Sequence, residues 1–243
     1  MSSNVIIDYG FTAVEASATK LLSSSHPSLK APYIPVSQTP IPKTALGKRI
    51  QEYAKSKLPE PTFNHSMRVY HYGLAIKKYR FPEWAFTDET YYLTCLLHDI
   101  GTTEENLHKT KMSFEFYGGF LALDILQRNS EGHEATAPRE QAESVAEAII
   151  RHQDLCDVGT ITAVGQLIQL ATIFDNTGQY PDLVHPSTIE DVSKQFPRLK
   201  WSTCFAATIR RENGLKPWAH TTALGVDDFP SKVLGNKLME PFE

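Results

Sequence analysis

The sequence predicts an all-α fold, and three observations support this expectation. Apolar residues recur at helical spacing in one segment after another from Thr44 onward. No run of alternating apolar and polar residues is long enough to indicate a useful strand, and no internal repeat is visible. The chain has 243 residues, 41% of them hydrophobic and 21% charged, which suits one sizeable domain better than two.

We expect an N-terminal arm over residues 1–43, extended or partly ordered, followed by a helical domain over residues 44–243. The arm is rich in Ser, Pro and Thr. The spacing of Pro40 and Pro42 is typical of extended, polyproline-like chain. We therefore expect the arm to contribute no chemistry.

A first helix is predicted over residues 44–58, and the two prolines that follow end it. Thr62 or Asn64 can cap the second helix, which extends to about Tyr79. Arg68 lies largely off the buried face of this helix. That face consists of residues at steps of four, three and four, namely His65, Val69, Tyr72 and Ile76.

Asp88 is expected to cap a third helix, whose apolar run ends on His98 and Asp99. Gly101 follows where a helix is expected to stop. A lone histidine on such a run is more often a hydrogen-bonded core residue than a ligand. A buried, unpaired carboxylate costs several kcal/mol, however, so Asp99 needs a cation, a donor network or water.

The remaining segments are predicted from the same periodicities. Residues 102–110 and 129–138 are interpreted as polar loops, and residues 114–128 and 139–154 as helices. A further helix starts at Thr160 or Thr162 and reaches about Asn176, and shorter helices are expected over residues 187–195, 201–211 and 228–238. The glycine pair at 118–119 indicates tight helix packing, because no phosphate-loop pattern surrounds it.

Two of these later helices also have apolar stripes that end on polar side chains. The stripe Ala142, Val145, Ile149 ends on His152. The stripe Val164, Ile168, Ala171 ends on Asp175, with Thr172 one turn earlier on the same side. Four helices thus deliver metal-capable groups to one region. The full set comprises His65, His98, Asp99, His152 and Asp175.

A single divalent cation at the meeting point would satisfy these groups together. Imidazole and carboxylate ligands suit Zn²⁺, Mn²⁺, Fe²⁺, Co²⁺ or Ni²⁺, and the ligand types alone do not choose among them. The three cysteines are far apart and form no C-x-x-C pair, which argues against a thiolate site and a disulfide framework. The absence of thiolate ligands favours a catalytic site with an open position over a closed structural one.

The order of these residues resembles that in the HD-domain superfamily of metal-dependent phosphohydrolases. The surrounding residues are similar to its fungal cyanamide hydratase branch, which converts cyanamide into urea. The likeness covers about residues 44–218 and beyond, and the N-terminal arm matches least. The matching stretches are residues 64–69, 94–102, 111–114, 117–119, 147–154, 169–172, 175–176 and 216–221.

The resemblance implies one zinc ion per subunit, ahead of Fe²⁺ or Mn²⁺, with four ligands: His65, His98, Asp99 and Asp175. It also implies an all-helical HD core, homo-oligomers and the hydration of the nitrile of cyanamide, which is a hydro-lyase reaction. Many HD phosphohydrolases have an acid three positions after the His-Asp pair. Here that position is Thr102, which favours a hydratase because a hydratase does not need this acid.

The hypothesis for catalysis is attack of metal-activated hydroxide on the nitrile carbon, with protonation of the nitrile nitrogen. His152 is the first choice for this proton transfer, unless it binds a second metal ion. Thr172 can hydrogen-bond the substrate or the water. Asn64 and Lys111 are weaker candidates: Asn64 can instead cap its helix, and Lys111 can instead be a solvated surface residue.

Charge and composition also bear on partners and location. The net charge of −4 argues against nucleic acid as a partner. No secretion signal or membrane-spanning run is visible, so we expect a cytoplasmic protein without a membrane partner. Two other functions remain open. One is a nucleotide phosphohydrolase with a phosphate cradle of Arg68, Lys111 and Arg151, and the other is a non-catalytic, metal-stabilised sensor module.

Overall fold

The computed structural model describes residues 4–24, 30–128 and 135–243. Within them the predicted all-α fold is confirmed. The α-helices are α1 (Val5–Asp8), α2 (Ala18–Ser24), α3 (Ala45–Lys57), α4 (Glu60–Arg80), α5 (Asp88–Leu97), α6 (Glu104–Lys109), α7 (Phe114–Gln127), α8 (Arg139–Arg151), α9 (Ala163–Thr177), α10 (Pro186–Gln195), α11 (Trp201–Leu215) and α12 (Asp228–Leu234). Short 3-10 helices occur at Val36–Gln38, Ile100–Thr102, Pro181–Leu183, His220–Leu224 and Glu240–Phe242.

The core is built on two helices that are buried on nearly all sides. Residues 90–97 of α5 are all buried, as are residues 163–176 of α9. Helix α4 packs against both, and α8 packs against α5, α7 and α9. A helix that is apolar all round belongs in the centre of a domain, so any polar group at its end must find a partner inside the protein. None of the described helices has the length and apolar character to cross a bilayer.

Two predicted helix starts are wrong, and the reason is local. Helix α4 begins at Glu60 with Pro59 at its N-cap, so neither Thr62 nor Asn64 caps it. Proline is tolerated in the first turn, where its missing N–H would have no intrahelical partner. Helix α5 is capped by Thr87, whose side chain accepts the N–H of Thr90, rather than by Asp88.

The predicted loop at 102–110 contains helix α6, which starts at Thr103 through a hydrogen bond from the N–H of Asn106. Only Leu107 of this helix is buried, so it has no apolar period to detect. Helix α8 ends at Arg151, three residues before the expected boundary. Of the predicted loop over 129–138, residues 129–134 lie outside the described residues.

The N-terminal arm contains more regular structure than the sequence indicates. Besides α1 and α2, it supplies strand β1 (Ala13–Glu15), which pairs antiparallel with β2 (Thr160–Thr162) in the register Ala13 to Thr162. Three residues per strand are too few to produce a readable alternation. Residues 1–3 and 25–29 of the arm lie outside the described residues, and the division of the chain at residue 43 stays a prediction.

The predicted tight packing at the glycine pair is confirmed. A Cβ on Gly119 would lie 2.4 Å from Cγ1 of Ile150 in α8. Gly101 shows the same requirement, because a Cβ there would lie 2.1 Å from the carbonyl oxygen of Phe114. These glycines let α7 approach α8 and the segment after α5 closely, and so draw together the ends of α5 and α8.

Candidate metal centre

His98 and Asp99 follow directly on the last turn of α5, inside the protein. His98 occupies the C-cap position, and its Nδ1 donates a hydrogen bond to the carbonyl of Cys95 at 2.8 Å. Because a carbonyl can only accept, Nδ1 of His98 bears a proton and Nε2 is the nitrogen left to face other groups. Asp99 begins the short 3-10 helix, which turns the backbone sharply.

His65 reaches the same point from the second turn of α4. Its Nδ1 lies 2.6 Å from Oδ2 of Asp175, and its Nε2 lies 3.2 Å from Nε2 of His98. Burial lowers the pKa of His65 to about 4, so this ring is neutral near pH 7. Two imidazole lone pairs at this distance repel each other. The arrangement therefore needs a positive charge between the rings, which a proton on His98 or a bound cation can supply.

Asp99 completes the group. Its Oδ2 lies 3.3 Å from Nε2 of His98 and 3.7 Å from Nε2 of His65. Both of its carboxylate oxygens are buried without a hydrogen-bond partner. One ligand atom from each of the three residues lies within 4.8 Å of the others. Two imidazole nitrogens and a carboxylate without donors fit a divalent transition-metal ion.

Asp175 is close to His65 but on the other side of its ring. Its Oδ1 accepts from Arg198 at 2.7 Å and from Nε of Arg68 at 3.0 Å, while its Oδ2 accepts from His65 and from Arg68 at 2.9 Å. A carboxylate on the second nitrogen of a ligating histidine fixes the ring and raises its basicity. The structure thus places Asp175 behind His65, and its predicted role as a fourth ligand stays a prediction.

The two arginines on Asp175 were not found by sequence reasoning. Arg68 was expected off the buried face of its helix, yet Arg68 and Arg198 are both 0% exposed. Burial alone would raise the pKa of Asp175, but the two guanidiniums outweigh it and hold that pKa well below its usual value. The spacing of three between His65 and Arg68 could have placed both on one face. Nothing in the sequence marks Arg198.

His152 lies beside the group at the end of α8. Its ring centroid is 5.3 Å from that of His98, and its Nδ1 donates to the carbonyl of Ile149 at 2.7 Å. Burial, reinforced by His98, lowers the pKa of His152. A neutral ring with its Nδ1 proton committed presents Nε2 as an acceptor. That is the form which the predicted proton-transfer role requires.

Thr172 and His152 line one small pocket, together with Asn176 and Phe229. The hydroxyl of Thr172 donates to the carbonyl of Ile168 at 2.9 Å, so it can offer only its oxygen to a further group. The structure therefore brings Thr172 together with His152, as predicted.

The two weaker candidates are placed differently. The amide of Asn64 donates to the carbonyl of Pro197 at 3.0 Å. Lys111 is exposed, and so is Met112, which was expected to be buried. The buried lysine of this region is Lys216, whose Nζ donates to the carbonyl of Met112 at 2.7 Å. Catalytic roles for Asn64 and Lys111 stay predictions without a contact to support them.

Trp201 covers the far face of His65. Their rings stack with centroids 4.2 Å apart and planes 13° apart. The indole Nε1 donates to Oδ1 of Asn176 at 2.8 Å. Of the roles considered for Trp201, packing over the pocket therefore fits, because a fully buried ring is no subunit contact.

The phosphate cradle considered for Arg68, Lys111 and Arg151 does not form. Arg68 spends its donors on Asp175 and on the carbonyls of residues 196 and 197. Arg151 is paired with Asp154 at 3.1 Å. An anionic substrate would have to break these pairs, so the site favours a small neutral substrate.

Comparisons with known proteins agree with this site. Residues 62–177 match the family model described as HD domain. The chain is also similar to cyanamide hydratase DDI2 and cyanamide hydratase DDI3 of Saccharomyces cerevisiae. Each is 43% identical over 228 residues, which cover 94% of this chain and 96% of the relative.

Proposed function

This chain belongs to the cyanamide hydratase family, and from that premise we propose that it adds water to the nitrile of cyanamide to give urea. One observation supports the proposal most directly. A buried carboxylate without donors, Asp99, faces the Nε2 atoms of two histidines beside a third, neutral histidine. Such a group can bind a cation and still leave a base next to it.

We propose that the cation is Zn²⁺, one per subunit, held by His65, His98 and Asp99 with Asp175 as the predicted fourth ligand. When bound, a divalent cation of this kind lowers the pKa of a water molecule from 15.7 to about 7. The carbonyl of Cys95 and the carboxylate of Asp175 accept the Nδ1 protons of the two histidines. Both rings are thereby oriented with Nε2 toward Asp99 before any ion arrives.

The side chains near the ion handle the protons. The oxygen of water bonds to the nitrile carbon, and Nε2 of His152 accepts the proton that the water loses. The same nitrogen returns a proton to the nitrile nitrogen, on which negative charge develops. Transfer of the remaining hydroxyl proton to that nitrogen completes urea. Thr172 offers its oxygen to the amino group of cyanamide, which is a donor.

The test is to supply zinc-loaded protein with cyanamide and to measure urea, with a panel of nucleotides assayed for phosphate release in parallel. We expect urea from cyanamide and no phosphate. Elemental analysis of the purified protein tests the identity and number of the ions. Phosphate without urea would overturn the proposal in favour of a phosphohydrolase, and neither product would favour a sensor.

The remaining expectations belong to this proposal. We propose that the substrate is a small molecule, that the chain forms homo-oligomers and that it works in the cytoplasm without nucleic-acid or membrane partners. Size measurement of the purified protein in solution tests the oligomer.

A further inference from the structure

A second cluster of titratable side chains lies next to the proposed catalytic histidine. Phe114 packs its ring against His152, with centroids 5.6 Å apart, and its backbone N–H donates to Oε1 of Glu212 at 2.7 Å. Glu115 follows it in α7 and is 0% exposed. The cluster thus joins the start of α7, the end of α11 and the 3-10 helix at His220–Leu224.

The two glutamates of this cluster compete for ionisation. Burial, reinforced by the charge of Glu115, raises the pKa of Glu212 to about 7. Oε2 of Glu115 and Oε2 of Glu212 are both buried without a hydrogen-bond partner. Lys216 lies 3.6 Å from Oε1 of Glu212 but gives a hydrogen bond to the carbonyl of Met112. The pair therefore holds about one proton near neutral pH.

Glu115 also connects this buried pair with solvent. Its Oε1 accepts from the hydroxyl of Thr221 at 3.0 Å and lies 3.3 Å from Nδ1 of His220. The side chain of His220 is 26% exposed, so its other ring nitrogen is accessible to water. The charges acting on His220 are those of Glu115, Asp154 and Glu212. On its inner side, Glu115 acts electrostatically on His152.

We propose that Glu115 and His220 form a proton relay between His152 and solvent. The inference rests on the proposed hydration of cyanamide. In that reaction one proton leaves the attacking water as its oxygen bonds to the nitrile carbon. One proton is added to the nitrile nitrogen as a C–N π bond breaks, so no proton is gained or lost overall. The relay lets these two events use different protons, because His152 can pass its proton to Glu115 and receive another by the same route.

The experiment compares three variants of the zinc-loaded enzyme by urea formation, as a function of pH and of added imidazole. His220→Ala removes the outer group of the relay, and Glu115→Gln removes the inner one with little change of shape. Trp218→Phe is the matched control. It removes a hydrogen bond from the same segment, Nε1 of Trp218 to the carbonyl of Lys111 at 2.9 Å, but no titratable group.

We expect His220→Ala and Glu115→Gln to lower kcat by about tenfold or more with little change in KM, and to alter the pH profile of kcat. Imidazole should restore part of the activity of His220→Ala and none of that of Glu115→Gln. Trp218→Phe should keep the wild-type kcat and pH profile.

The outcomes separate the two proposals. Wild-type protein that forms no urea would overturn the hydratase function, and the relay with it. An active wild-type enzyme whose His220→Ala variant matches Trp218→Phe, or is not rescued by imidazole, would overturn the relay alone.

Discussion

Asp175 receives charged hydrogen bonds from Arg68 and Arg198 and a third from His65, all in the interior. We expect Asp175→Asn to lower the free energy of unfolding by about 3–5 kcal/mol, because two buried guanidiniums lose their counter-charge. The affinity for zinc should fall by about 10- to 100-fold, since His65 loses its orienting carboxylate. Denaturant unfolding and zinc titration measure the two effects.

The exposed Asp182 offers a control for the change of charge alone. Asp182→Asn should keep wild-type stability and zinc affinity. Equal stability of the Asp175→Asn variant and the wild type would contradict the arginine clamp. A sensor module would show the loss of stability without any urea-forming activity to lose.

Glu212 predicts a pH dependence of stability. Its folded pKa of about 7 lies above that of an unfolded glutamate, so between these values the folded protein binds more protons than the unfolded one. Stability must therefore fall as pH rises through this window. We expect the Tm of the wild type to fall more steeply from about pH 5 to about pH 8 than that of Glu212→Gln. Parallel Tm curves would show that Glu212 titrates normally.

At the scale of elements, the short connection after α5 depends on one close approach. A Cβ on Gly101 would meet the backbone oxygen of Phe114 at 2.1 Å, and a backbone atom cannot turn away as a side chain can. At Gly118, in α7, the nearest atom would be Cγ2 of Ile149 at 3.5 Å, which is ordinary contact.

We expect Gly101→Ala to destabilise the protein by about 1–3 kcal/mol, and Gly118→Ala to be neutral or to stabilise it by up to about 1 kcal/mol. Thermal unfolding of the pair tests this contrast. Equal effects would mean that the segment after α5 moves freely away from α7.

Helical periodicity located the elements that form the centre and the residues at their ends. The stripes of α4, α8 and α9 end where the structure brings His65, His152 and Asp175 together, because each stripe faces the same core. The groups that fix those ligands were harder to find. Arg198 lies in an irregular segment after α10, and its contact with Asp175 exists only in the folded chain. Such pairings depend on tertiary distances that no local pattern records.

At the scale of the whole molecule, the buried cation site links metal binding to folding. The three side chains of the site come from α4 and the end of α5, so the unfolded chain does not preassemble them. Without an ion, the carboxylate of Asp99 is left buried without a donor, which costs free energy. Metal binding should therefore stabilise the whole domain.

We expect removal of the ion by a chelator to lower Tm, and zinc to restore it. Free zinc at about 1,000 times its Kd would contribute about 4 kcal/mol. For a chain of this size, that corresponds to roughly 10 °C at about 2–4 °C per kcal/mol. Differential scanning calorimetry on stripped and reloaded protein measures the shift. Asp99→Asn should be insensitive to zinc because the carboxylate that completes the site is gone. A wild-type Tm that does not respond to zinc, or a variant that responds equally, would show that these three side chains do not form the metal centre.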